Sequence, residues 1–210
     1  EARHFASLSR RAHYVELPNV GHDYERAVSW MPQFKTAYAK LIADALPSLP
    51  APPASLADLP LIEVPATGDG DQFAIFLSGD GGWAGLDKEV AGALASRGIP
   101  VVGVDSLRYF LKAPTPAGLA NGIRRIARFY AFHWNRKRVL LIGYSQGADV
   151  LPFAVNRLPA ATRSLVDLTA LIGVSRTAAF EFHVSNWLGG GADGVPVKPE
   201  TDRLSSSDTL

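Results

Sequence analysis

Residues 139–153 read VLLIGYSQGADVLPF, and this stretch decides the fold. Val139–Ile142 is an unbroken apolar run of strand length, Gly143 and Gly147 bracket a tight bend, and the residues from Gln146 onward suit a helix. A strand with one wet face alternates polar and apolar residues; one that stays apolar throughout is covered on both sides. Working outward, further strands are expected at Leu61–Val64, Phe73–Leu77, Pro100–Val104 and Leu168–Val174. Helices are expected between them at Leu86–Ser96, ended by Gly98, at Ala117–Trp134 and at Gln146–Leu158. In the second of these, Leu119, Ile123, Ile126, Tyr130 and Trp134 share one face. The pattern predicts an α/β fold with a mostly parallel sheet and helices on both faces.

Composition narrows the function classes. The 210 residues carry Lys+Arg 21 against Asp+Glu 20, and 47% are hydrophobic, so the chain is an ordinary globular one. A near-neutral charge argues against nucleic acid as the main partner. With Cys 0, a disulfide scaffold, a thiolate metal site and a cysteine nucleophile are excluded. No apolar run approaches the roughly 18–20 residues of a membrane span. Neither HExxH nor a carboxylate/His cluster is present, so no metal and no organic cofactor are expected. The chain opens at Glu1 without Met or an apolar leader, which reads as a processed chain or a fragment.

Three segments are expected. Residues 47–60 read PSLPAPPASLADLP, a proline-rich stretch that predicts an extended, semi-rigid linker. Residues 1–46 are too few for a core of their own. They hold a strand candidate (Ala12–Leu17), the turn Pro18-Asn19-Val20-Gly21, His22, and a helix with Phe34, Tyr38, Leu41 and Ile42 at helical spacing. Strand, Gly-His and helix is how an α/β-hydrolase usually ends; a plain strand–turn–helix with His22 on the surface fits equally. Residues 61–210 form the main domain. Phe180, Phe182 and Val184 alternate with polar residues as in a half-exposed strand, and no further strand–helix unit is expected after them.

The chemistry centres on Gly143-Tyr144-Ser145-Gln146-Gly147. GxSxG letters alone are common, but a strand before and a helix after make a nucleophile elbow, with the Ser145 hydroxyl exposed on a strained turn. The alternative is a glycine-rich turn with a spectator serine. A second signal, Ser78-Gly79-Asp80-Gly81-Gly82-Trp83, directly follows a strand. In an α/β-hydrolase such a loop provides one oxyanion donor and the N–H of the residue after the nucleophile, here Gln146, provides the other. The alternative, a phosphate cradle, lacks the Lys-Ser/Thr of a P-loop.

An acid and a histidine should follow the serine in this fold. After Ser145 the sequence has one histidine, His183, on an alternating strand candidate, and Asp149, Asp167 and Glu181 fit the acid no better. The expectation is that the chain stops before its own acid and base and is inactive alone. Approach of His22 to Ser145, as in a circular permutant, is the sharper alternative. Charge is uneven as well: Arg108, Lys112, Arg124, Arg125, Arg128, Arg136, Lys137 and Arg138 lie between Ser106 and Ala148 with no acid among them. They form either a stripe toward anionic phospholipid or the solvated face of a helix.

IFLSGDGGW (75–83), VVGVDSLRYF (101–110) and GYSQGADVLPF (143–153) together resemble the bacterial virulence protein VirJ/AcvB family of the α/β-hydrolase superfamily. The resemblance implies an α/β-hydrolase domain from about residue 61, incomplete at its C-terminus, behind residues 1–46 as the tail of an upstream one, with His22 the catalytic histidine of that upstream domain. It implies a periplasmic serine hydrolase cleaving the aminoacyl ester of lysyl-phosphatidylglycerol and linked to type IV secretion. On this chain it matches Ser145 as nucleophile, with Gln146, Asp80 and Gly81 at the oxyanion site. Asp80 and Asp105, each just past a strand's carboxyl end, would meet the cationic lysyl group, or else stabilise turns. Other readings are a non-catalytic module binding a lipid or secretion partner, and an esterase for small soluble esters.

Overall fold

The computed structural model describes residues 54–111, 115–180 and 194–204, and, nearer the N-terminus, residues 4, 7, 17, 30, 32–34, 36 and 37. The chain divides into two compact units, Glu1–Ser48 and Leu49–Leu210. In the first, Trp30, Pro32, Gln33, Phe34, Thr36 and Ala37 are helical, and buried Trp30 meets Phe34 edge-on at 6.0 Å. His22 and the strand candidate Ala12–Leu17, apart from Leu17 itself, lie outside the described residues.

The second unit is built on a sheet of β1 (Leu61–Val64), β2 (Gln72–Leu77), β3 (Val101–Val104), β4 (Arg138–Tyr144) and β5 (Val166–Ile172), in the order β1-β3-β2-β4-β5. β2, β3, β4 and β5 run parallel, while β1 is antiparallel to β3, with Leu61 opposite Val104. The crossed order puts β2 and β4 side by side at the centre, with Leu77 next to Gly143. The sheet is mostly parallel, as the apolar strands predict. The antiparallel sense of β1 is the difference. LIEV is only four residues, and nothing in its composition fixes direction.

Helices cover both faces. Along β2, Phe73, Ile75 and Leu77 point to one side with Val102, Val139 and Leu141, where α3 (Pro116–His133) and α4 (Gln146–Val155) pack through Leu119, Ile123, Ile126, Val150 and Leu151. Ala74 and Phe76 point to the other side, against Ala91 and Leu94 of α1 (Leu86–Ala95). Each fully buried Phe or Leu of this kind contributes about 1.5–3 kcal/mol relative to an exposed one. α3 starts where Thr115 Oγ1 accepts the Gly118 N–H at 3.1 Å and Pro116 occupies the first turn.

Three expectations need correction. The end of the proline-rich stretch is folded, not extended: Ala54–Leu56 is a 3-10 turn, Leu56 and Leu59 are buried, and Asp58 pairs with Arg125 at 2.6 Å. Burial of the two leucines folds this end of the stretch, while residues 47–53 lie outside the described residues. A one-turn helix, α2 (Ser106–Phe110), follows β3, too short for periodicity to reveal. Past residue 194 the chain adds β7 (Val195–Pro196), paired with β6 (Thr177–Ala178), and α6 (Lys198–Thr201), where no unit was expected. Contacts with the residues that follow α4 hold it in place: Asn156 Nδ2 donates to Glu200 at 2.7 Å and Arg157 pairs with Glu200 at 3.1 Å. A further one-turn helix, α5 (Ala160–Arg163), leads into β5.

Candidate active site

Ser145 sits where β4 hands over to α4, with φ 51° and ψ −119°, a conformation that non-glycine residues rarely adopt. Its N–H donates to Ile172 O at 2.9 Å and its carbonyl accepts the Asp149 N–H at 3.0 Å, which tie the bend to β5 and to the helix. The flanking glycines are required by space. A Cβ on Gly143 would lie 2.5 Å from Gly147 O, and one on Gly147 would lie 2.3 Å from Leu77 O and 2.7 Å from Ser78 O. The first turn of α4 is therefore pressed against the carboxyl end of β2. The elbow exists because both glycines permit that approach.

The glycine-rich loop after β2 consequently lies beside the serine. A Cβ on Gly79 would be 3.5 Å from Ser145 Cβ. Gly82 N–H donates to Gly79 O at 3.1 Å, closing a turn with Asp80 and Gly81 at its centre, so the turn's own hydrogen bond uses neither of their N–H groups. Beneath it, buried Ser78 Oγ accepts the Ser106 N–H at 2.9 Å. On its far side Trp83 meets Phe76 edge-on at 5.5 Å and lies over Gly103, where a Cβ would be 2.5 Å from the ring. The turn is thus fixed from below and from behind.

Gln146 opens α4, so its N–H faces out of the helix N-terminus, where partial positive charge gathers. Its side chain bends away: Nε2 donates to Ala179 O at 3.3 Å, while Oε1 is buried with no hydrogen-bond partner among the described residues. Asp80 is half-buried on the turn. Asp105 is 3% exposed; its Oδ1 accepts the Arg108 N–H at 3.1 Å, capping α2, and its Oδ2 lies 3.6 Å from Arg108 Nε. That inward geometry supports a helix cap and not a contact with substrate.

Asp149, one helical turn beyond Ser145, is a residue the sequence reading undervalued. It is buried, and its Oδ1 accepts the Ser175 N–H at 2.5 Å, holding the loop after β5 against the elbow helix. Burial pushes its carboxyl above the usual range, against the pull of the Ser175 hydrogen bonds, and the nearby Asp80 charge adds to the rise. The four-residue spacing from Ser145 was the available signal. Asp167 pairs with Arg138 at 3.0 Å at the amino end of β4, the opposite end of the sheet from Ser145. His183 and Glu181 lie outside the described residues.

The basic stripe is dispersed by folding. Arg108, Arg125 and Arg138 pair with Asp105, Asp58 and Asp71, and Arg136 is buried with its Nη2 donating to Gly68 O at 2.6 Å. Arg124 and Arg128 remain on the outer side of α3 near Phe132, which is 91% exposed.

A family model described as bacterial virulence protein (VirJ) matches residues 71–210. No curated protein matches the chain. Among solved structures, Est1E from Butyrivibrio proteoclasticus is 14% identical with a TM-score of 0.44, over 54% of this chain and 46% of its own. MenH from S. aureus is 15% identical with a TM-score of 0.44, over 61% and 46%. A proline iminopeptidase from Mycobacterium smegmatis is 16% identical with a TM-score of 0.37, over 56% and 40%. The chain spans less than half the length of each of these three.

Proposed function

The chain belongs to the VirJ family of bacterial virulence proteins, and on that premise we propose that it carries the nucleophile of a serine ester hydrolase. The observation that supports this most is the strained Ser145 elbow lying against the 79–82 turn. Ser145 Oγ attacks an ester carbonyl while a histidine base accepts its proton. The resulting oxyanion is held by the Gln146 N–H and by the N–H groups of Asp80 and Gly81, each such donor worth about 3–4 kcal/mol. Collapse expels the alcohol, which takes the proton back from the histidine, and water then cleaves the acyl-serine.

The substrate proposed is the aminoacyl ester of lysyl-phosphatidylglycerol, in the periplasm, with a link to type IV secretion. Half-buried Asp80, whose charge is felt at Asp149, supplies negative potential beside the serine for the cationic lysyl group. Contact with an anionic bilayer would use Arg124, Arg128 and Phe132. The test is release of lysine from lysyl-phosphatidylglycerol vesicles by the intact protein. Ser145→Ala should abolish release yet keep vesicle binding; undiminished release from that variant refutes the enzyme reading.

A further inference from the structure

Asp87 is the most deeply buried carboxylate among the described residues, 2% exposed. It lies at the second position of α1, where the capping residue is Gly85 and offers no side chain to the helix's first N–H groups. The carboxylate turns back instead toward the loop before the helix. Its Oδ2 accepts the Ala84 N–H at 3.2 Å, and the Gly79 N–H lies near enough to the carboxylate to pull its pKa down. Gly79 and Ala84 are the two ends of the segment that carries the turn beside Ser145. Oδ1 is buried with no hydrogen-bond partner among the described residues. A buried charge without a cation is costly, so its retention asks for a reason.

We propose that Asp87 is a positioning residue for the oxyanion turn, bonding Ala84 at one end of the 79–84 segment and attracting the Gly79 N–H at the other so that the Asp80 and Gly81 N–H groups face the serine. The inference rests on the reading of Ser145 as nucleophile. With the Gly79 N–H facing the carboxylate and Gly79 O held by the Gly82 N–H, the peptides on both sides of Gly79 are oriented where the chain enters the turn. Trp83 packed over Gly103 fixes the exit. What this requires of Asp87 is an acceptor in the right place, not a charge. The charge itself works against the site, since it adds negative potential near a developing oxyanion. Burial accordingly raises the Asp87 carboxyl, as does the Asp105 charge nearby, while the Ala84 and Gly79 N–H groups pull it down. Asparagine, with the same shape and one carbonyl acceptor, should serve as well.

The test compares wild type, Asp87→Ala, Asp87→Glu, Asp87→Asn and Ser145→Ala in the intact protein, with kcat and KM for ester hydrolysis measured below the melting transition of every variant. Asp87→Ala removes the acceptor and Asp87→Glu displaces it by a methylene. Either should lower kcat about 10–100-fold, somewhat less than outright loss of an oxyanion donor, with KM within about threefold of wild type. Asp87→Asn should restore kcat to wild type or above. A purely structural residue would lower the melting temperature and leave the kcat of the folded enzyme alone. If Asp87→Ala does not fold, Asp87→Glu and Asp87→Asn carry the same contrast. Wild-type kcat in a folded Ala or Glu variant, a loss confined to KM, or an Asn variant as slow as Ala overturns the proposal while leaving the nucleophile reading intact. Turnover that survives Ser145→Ala overturns both.

Discussion

Gly147→Ala probes the contact that makes the site. Ordinary van der Waals contact begins at 3.4 Å, and an alanine Cβ here would lie 2.3 Å from Leu77 O and 2.7 Å from Ser78 O, so α4 must retreat from β2 by about 1 Å. The opposing atoms are main chain of a central strand and cannot swing aside. Overpacking of this kind costs about 1–3 kcal/mol, and in a chain of this size each kcal/mol lowers the melting temperature by about 2–4 °C. The expected drop is therefore about 2–12 °C by circular dichroism. The same displacement separates Ser145 and the Gln146 N–H from the 79–82 turn, and a misplacement of about 1 Å can lower kcat about 100-fold. Gly92→Ala is the control: no atom lies within 4 Å of its added Cβ, so mid-helix alanine should stabilise by about 0.5–1 kcal/mol. Equal melting temperatures and kcat within twofold for Gly147→Ala would refute the argument that the elbow is pressed against β2.

Other perturbations follow from the same geometry. Gly103→Ala places a Cβ 2.5 Å from the Trp83 ring and should expel the indole, seen as a red-shifted fluorescence component and a lower melting temperature. Asp149→Ala removes the acceptor of the half-buried hydrogen bond from the Ser175 N–H, at a cost of about 0.5–1.5 kcal/mol in urea unfolding. Asp87→Asn tests linkage: the folded-state carboxyl is raised above 3.8, so the folded chain binds that proton more tightly than the unfolded one. The penalty is absent below the unfolded value and grows as pH rises through the folded one. Asp87→Asn should therefore be more stable than wild type at pH 7, with the gap closing as pH falls toward 3.8; a gap that widens on acidification contradicts this.

The sequence made the central sheet readable because β2, β3 and β4 are buried on both faces, and only apolar residues survive there. β5 was read two residues late, from Leu168 instead of Val166, since at the end of the described sheet its residues are half-buried and the hydrophobic signal fades. The neighbouring placement of the two glycine loops follows from strand order, which periodicity does not encode; GxSxG and SGDGGW suggested it only through known architecture. Asp87 goes unremarked in the sequence, and Asp149 is weighed there only as a poor triad acid, for one reason. Each takes its role from backbone N–H groups brought near by folding, and a carboxylate in a helix's first turn looks like a solvated one until burial is known. Asp105 shows the converse: a residue at the right strand end whose side chain turns inward to cap α2.

The central claim is that Ser145 forms the covalent intermediate. Intact protein quenched during turnover of a slow activated ester, digested and mapped by mass spectrometry, should carry the acyl group on the peptide containing Ser145, and Ser145→Ala should carry none. An acyl group on a different residue, or steady turnover with Ser145 unmodified and replaceable, would contradict it.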